Sequence, residues 1–351
     1  MSRTRTATTL VTTAVAALAL LTAAGSAAAR PVPDEHARAS YEIGLFGDMP
    51  YGDTGRAQFP ALLADMNTHD LAFSLFDGDM KNGSEPCYAS YDGSAQAAGK
   101  PDVYTAERDL LNTLKAPVIV TPGDNEWTDC DRPATKGPTF DAVDRLAYER
   151  QVFFASPQTQ GAHPTTVTRQ SAAYPENAVK TAGGVTYATV NIPGSDNDFA
   201  VTPADGNVAE AQAEYTARNA ANLSWIRATF DAATAQHSKA VMIVIQADMF
   251  PQTNSGSPST HFADTKALLA RESAAFAGQV VLVNGDSHYF LEDKPLTDDA
   301  GNTIENVTRV MTFGSGQSHW VSATVDPRTP EVITFHQHVV AANVPAYSFS
   351  G

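Results

Sequence analysis

Short apolar runs alternate with amphipathic stretches along most of the chain. YEIGLF (41–46) precedes the helical RAQFPALLADMN (56–67), and LAFSLF (71–76) precedes the helical YTAERDLLNTL (104–114). APVIVT (116–121) is followed by FDAVDRLAYERQVFF (140–154), and GVTYATVNI (184–192) by a long helical stretch, 207–234. KAVMIVI (239–245), the helical 261–277 and QVVLV (279–283) continue the alternation. This order predicts an α/β protein with a partly parallel sheet. The tail reads strand after strand, as NVTRVMTFGSG, WVSATVD and EVITFHQHVV, and predicts antiparallel pairing. Trp225 and Ile226 fall at helical core spacing. Residues 82–101, rich in Gly, Ser and Ala, predict an exposed insertion.

Four of the apolar runs stop in the same way, as LFGDMP (45–50), LFDGDM (75–80), TPGDNE (121–126) and VNGDSHYF (283–290). One Gly-Asp after a strand needs no explanation beyond the turn preference of both residues. Four of them, each behind its own strand, place four carboxylates at the carboxyl edge of an α/β sheet, where sites form. Such a cluster repels itself unless cations neutralise it, so a metal site is expected.

The chain has 351 residues and opens with Arg3 and Arg5, an apolar Ala/Thr/Leu stretch and then SAAAR. That pattern predicts a secretory signal peptide over residues 1–29, and a secreted or extracytoplasmic product. Residues 30–40 are a polar, Pro-bearing flexible lead-in, and 41–351 form the domain. The full chain carries 23 basic and 39 acidic residues. Loss of two arginines with the signal peptide leaves 21 against 39, a net charge of −18. A surface this acidic disfavours nucleic acid and anionic membrane as partners. Oligomeric state is not legible. The two cysteines, Cys87 and Cys130, read first as a disulfide in an exported protein; two free buried thiols are the alternative.

The order of motifs resembles the calcineurin-like metallophosphoesterases, including their purple acid phosphatase branch, over about residues 41–320. That family carries D-x-H, G-D, G-N-H-[DE], a strand ending in His, and G-H-x-H, each at a strand end. Here GDMP, DGDMK, GDNE, VIQADMF and GDSH stand in that order. The resemblance implies a four-layer α/β/β/α sandwich with two mixed sheets, and a secreted metal-dependent hydrolase of small phosphoester substrates. It implies Asp48 and His288 as ligands of a first ion, Asp79 as the bridging carboxylate, and Asp124, Gln246 and Asp286 around a second. Pro50 stands where a ligand histidine belongs, with Tyr51 or Asp53 as substitutes. Asn125 occupies the place of the histidine that protonates the leaving group. Relative to the family, nitrogen gives way to oxygen around the second ion, which favours Mg²⁺, Mn²⁺ or Ca²⁺ over Zn²⁺ or Fe.

Two other readings stay open. The departures at Pro50 and Asn125 fit a catalytically inactive binding module that keeps a structural divalent cation. FDGDM also resembles the D-x-D opening of haloacid-dehalogenase-type phosphatases, with Asp77 as nucleophile and Asp79 as acid. His261 and His319 are possible acids but read more simply as ordinary surface or core histidines. Trp127 reads as loop packing as readily as a pocket wall. Lys81 and Lys294 read as solvated charge.

Overall fold

The computed structural model describes residues 40–89, 102–132, 138–199, 208–251 and 260–345. The expected signal peptide and nearly all of the expected lead-in lie outside the described residues, as does 90–101 of the expected insertion.

Period-two burial in the strands sets the layers. In β1 (Tyr41–Phe46), Ile43 and Leu45 face one way and Phe46 the other. β7 (Ala240–Val244) likewise sends Met242 and Val244 to one core, and Val241 and Ile243 to another. Strands buried on both faces need cover on both, and two sheets packed on each other with helices outside meet that need.

The first sheet has the order β12-β11-β1-β2-β3. It includes β2 (Leu71–Phe76), β3 (Val118–Val120), β11 (Trp320–Val325) and β12 (Ile333–His338). β1, β2 and β3 run parallel, and β11 joins β1 antiparallel with Leu45 opposite Val321. Its outer face packs on α1 (Gly52–Met66), α2 (Val103–Leu111) and α3 (Ala142–Phe153) through Phe46, Phe59, Leu63, Tyr104 and Trp320.

The second sheet has the order β4-β5-β6-β7-β8-β10-β9. β6 (Val185–Thr189), β7, β8 (Gln279–Asn284) and β10 (Val307–Met311) run parallel. β4 (Thr168–Arg169), β5 (Ala178–Ala182) and β9 (Leu291–Asp293) pair antiparallel at the edges. Its outer face carries α5 (Val208–Ala235) and α6 (Ala263–Ala275), through Ile226, Phe230, Leu268 and Leu269. The architecture is α/β/β/α with two mixed sheets.

The tail corrects one expectation. β11 and β12 do pair antiparallel, but in the first sheet, whereas β10 stays in the second and pairs parallel with β8. Three successive strands without an intervening helix read as a meander, but a parallel neighbour needs only a crossover, which 285–306 supplies through β9. The insertion is corrected in part, because Cys87 and Ala89 are buried. Cys87 and Cys130 form a disulfide, with Cα atoms 5.6 Å apart. Ile226 is core; Trp225 is partly buried and its indole N–H donates to the Thr189 carbonyl. No helix among the described residues is long and apolar enough to cross a membrane.

Candidate metal centre

The segments that follow β1, β2, β3 and β8 converge, and the glycines of the four Gly-Asp pairs show why. A Cβ on Gly47 would lie 1.6 Å from an Asp77 oxygen, and one on Gly123 2.0 Å from an Asp79 oxygen. On Gly285 it would lie 2.1 Å from an Asp48 oxygen, and on Gly78 2.4 Å from the Gly123 nitrogen. Each glycine makes room for the next motif, so the four turns interlock. A fifth pair, Gly52-Asp53, follows no strand and opens α1 instead.

Asp48, Asp79, Asp286 and His288 adopt left-handed backbone conformations, with φ of 51°, 62°, 73° and 66°. Non-glycine residues pay on the order of 1–3 kcal/mol for such conformations, which persist where the surroundings impose them. Here they turn side chains back over the sheet edge.

Asp48, Asp79 and His288 bring ligand atoms within 4.8 Å of one another, a group able to hold a metal ion. Asp48 is fully buried. Its Oδ2 accepts the Asp286 backbone N–H at 2.8 Å, while Oδ1 has no hydrogen-bond partner and lies 3.6 Å from His288 Nε2. Asp79 Oδ2 accepts from the Tyr51 hydroxyl at 2.5 Å and from Asn125 Nδ2 at 2.7 Å. Its Oδ1 accepts the Asn125 backbone N–H at 3.1 Å.

Asp124 and Asp286 flank this group across Gly194, whose Cβ would lie 2.6 Å from Asp124 Oδ2 and 3.0 Å from Asp286 Oδ1. Asp286 Oδ2 accepts the Asp248 N–H at 2.9 Å. Two expected ligands have other partners in this structure. Gln246 Oε1 accepts the Gly194 N–H at 2.5 Å, and its Nε2 donates to Asp124 Oδ1 at 3.3 Å. Both ends of the Gln246 amide are thus engaged, and through its Nε2 it helps to position Asp124. Asp53 is fully exposed and pairs with Arg56 at 3.0 Å, because the first turn of α1 points it to solvent. Pro50 follows a cis peptide bond and offers no donor.

Burial dominates the electrostatics. It holds the Asp48 carboxyl well above the usual carboxylate range, with Asp77 and Asp286 adding to it. It does the same to Asp79, with Asp124 and Asp48 adding. Asp286 is pushed up to about 7 by burial and Asp124. Glu126 is raised to about 7 by burial; its Oε1 takes the N–H groups of Asp79 and Gly123. Burial also raises the Tyr51 hydroxyl and lowers His288. The cluster therefore keeps protons at neutral pH or releases them to solvent when a cation binds in their place.

These residues fit a divalent ion. Asp48 Oδ1 is a buried acceptor with no donor, which is costly when charged, and it faces an imidazole nitrogen and a second carboxylate.

The cleft above them has a volume of about 680 Å³. Tyr51, Asp79, Asp124, Asn125, Asp286 and His288 line it, together with Asp129, Arg132 and Ser195, which sequence reasoning missed. Ser195 Oγ sits between the carboxylates of Asp124 and Asp129, 2.7 Å from the latter, and accepts from Arg132 Nη2 at 2.8 Å. Ser195 belongs to the single turn α4 (Gly194–Asn197), where four residues in a row, Ser195 to Asp198, have positive φ. The signal was present as GSDND, since Asp and Asn tolerate the left-handed region best.

Other expectations resolve plainly. Asp77 is buried, with Oδ2 accepting from the Thr312 hydroxyl at 2.7 Å. It is not among the residues lining the cleft and lies beside Asp48, whose carboxyl it helps to raise. Lys81 is buried rather than solvated, and burial lowers it against the pull of Glu126 and Asp129. Lys294 is largely exposed, near Glu305. Trp127 is loop packing, with the Arg218 guanidinium 5.0 Å from its ring. His261 stacks on Phe199 and contacts Asp196; His319 packs edge-on to Phe313.

No family model and no curated protein matches the chain. Among solved structures, a Staphylococcus aureus protein provisionally named a 5′-nucleotidase, in complex with α-ketoglutarate, aligns at 11% identity and TM-score 0.41. The alignment covers 86% of this chain and 53% of that one, so this chain spans about half its length. A second solved chain aligns at 10% identity and TM-score 0.40, over 86% of this chain and all of the other. Neither likeness reaches the level at which a shared activity can be inferred.

Proposed function

We propose that the protein is a secreted, metal-dependent phosphoester hydrolase that works in the cleft over Asp48, Asp79 and His288. The observation that carries this reading is the Asp48–Asp79–His288 group, with the unpartnered Asp48 oxygen at its centre. Asp79 feels the charges of both Asp48 and Asp124, and is the carboxylate suited to bridge two ions. The donors are oxygen except for His288, which suits Mg²⁺, Mn²⁺ or Ca²⁺.

A bound divalent cation supplies Lewis acidity toward a phosphoryl oxygen and lowers the pKa of water. The chain's own residues do the rest. Asp48, Asp79 and His288 hold the cation, and Tyr51 and Asn125 fix the Asp79 carboxylate through their hydrogen bonds. Arg132, at the rim beside Ser195, offers positive charge to a phosphate oxygen. Asn125 can donate a hydrogen bond but no proton, so leaving groups that depart as stable anions are favoured. The acidic cleft and chain disfavour nucleic acid, so the substrate is a small phosphoester.

The test is hydrolysis of chromogenic phosphomonoesters and phosphodiesters after chelation and re-addition of Mg²⁺, Mn²⁺, Ca²⁺ or Zn²⁺. Turnover restored best by a hard cation and rising with leaving-group acidity supports the proposal. Turnover unaffected by chelation rules it out. A binding-only reading draws on Asn125 having no proton to give; a cation that raises Tm without turnover of any of these esters would favour it.

A further inference from the structure

A second cluster lies on the α1 side of the first sheet. Glu42 on β1, His69 in the turn before β2, and His338 on β12 bring ligand atoms within 4.8 Å of one another. His69 Nδ1 is 3.2 Å from Glu42 Oε2, and His338 Nε2 is 4.0 Å from Glu42 Oε1. Chain order puts Asp48 of the candidate metal centre before α1 and His69 just after it. α1 has 15 residues, a length of about 22 Å.

The rings are held in place. His338 stacks on the buried Trp320 indole, with centroids 3.9 Å apart and planes at 7°. His69 meets the same indole edge-on at 4.9 Å. The indole N–H donates to Asp65 Oδ2 at 2.8 Å, fixing it against the last turn of α1. The side chains of Glu42, His69 and His338 remain 28%, 29% and 15% exposed, so an ion can enter and solvent can complete its shell. His336, two residues along β12, sets a further imidazole ring 4.8 Å from that of His338. Ser322 Oγ lies 2.8 Å from His338 Nε2 and would yield that nitrogen to the ion.

We propose that Glu42, His69 and His338 form a second metal site, selective for a transition-metal dication such as Zn²⁺. Two imidazoles and one carboxylate are a borderline-soft donor set, unlike the oxygen-rich cleft. Bonds of about 2.0–2.2 Å place tetrahedral ligands about 3.4 Å apart. The three groups thus need to close by little more than an ångström. Such an ion would tie β1, β12 and the α1–β2 turn together.

The probes are Zn²⁺ and Co²⁺ added to the full, tag-free chain. Zinc is followed by competition with a chromogenic chelator, and cobalt by its visible absorption. Wild type and Asp79→Asn should both bind the ion and give the intense bands of low-coordinate Co²⁺ with nitrogen ligands. His69→Gln/His338→Gln should lose those bands. It should also bind Zn²⁺ more weakly by at least the about 10–100-fold that losing even an outer-shell partner costs. Should the double variant fail to fold, the cobalt spectrum of the Asp79→Asn protein decides alone: the intense bands of a site with two imidazole ligands support the proposal, and their absence overturns it. Zinc binding unchanged in a folded double variant also overturns it. None of these results depends on phosphoester turnover.

Discussion

At the scale of the residue, the cleft rests on packing of carboxylates against glycines. At Gly123 an added Cβ would meet both the Asp79 carboxylate and its backbone nitrogen, at 2.0 and 2.3 Å, and backbone cannot swing away. Gly123→Ala should destabilise by about 1–3 kcal/mol, the usual cost of overpacking, read from chemical denaturation. Tyr51→Phe removes the hydroxyl that Asp79 and Asn125 share. It should weaken cation binding about 10–100-fold, as loss of an outer-shell partner does, measured by metal titration with the fold intact. Asp48, Asp79, Asp124 and Asp286 were legible from the sequence because each follows Gly at a strand end. The bonds of Gln246 to Gly194 and Asp124 were not legible: a side chain's type can be read from sequence, but not which partners its atoms meet. Asp129, Arg132 and Ser195 sit on turns some residues beyond β3 and β6 and outside any Gly-Asp pair, so periodicity pointed to none of them.

At the scale of the element, two short turns shape the cleft. The 3-10 turn Thr128–Asp131 carries Asp129 and is joined by Cys130 to Cys87, 43 residues away in sequence. Chain-entropy arithmetic gives about 4 kcal/mol for a loop of this size, before native-state strain. Replacing both cysteines by serine should lower the unfolding free energy by about 2–4 kcal/mol, seen as a lower denaturation midpoint. The left-handed turn ends at Asp198, which is buried, with both carboxylate oxygens lacking a hydrogen-bond partner. Burial pushes its carboxyl up to about 8, against the lowering effect of Arg218. The folded state thus keeps a proton that the unfolded chain releases near pH 4. The contribution to stability is whole below about pH 4 and is lost as pH rises through about 8. Asp198→Asn should flatten the decline in Tm between pH 6 and 9; an unchanged slope would show that Asp198 does not cause it. The helix and strand order was legible because it follows from period. The partner of β10 was not, because strand pairing is settled by the cores, which local pattern does not encode.

At the scale of the molecule, two parallel strand sets, one in each sheet, deliver their carboxyl ends to one edge. Asp48, Asp79 and Asp124 come from the first sheet; Asp286 and His288 come from the second. The site can form only when the sheets pack face to face through Leu45, Leu75, Val244 and Val283. Gathering so many buried carboxylates costs stability that a cation returns, which ties folding to metal binding. The most direct test compares wild type with Asp79→Asn on one chromogenic phosphoester, each chelated and then given Mn²⁺. Wild-type turnover should need the metal, and the variant's rate should be lower by at least about 100-fold. Equal rates in the two proteins would contradict a cation-dependent centre built on Asp79.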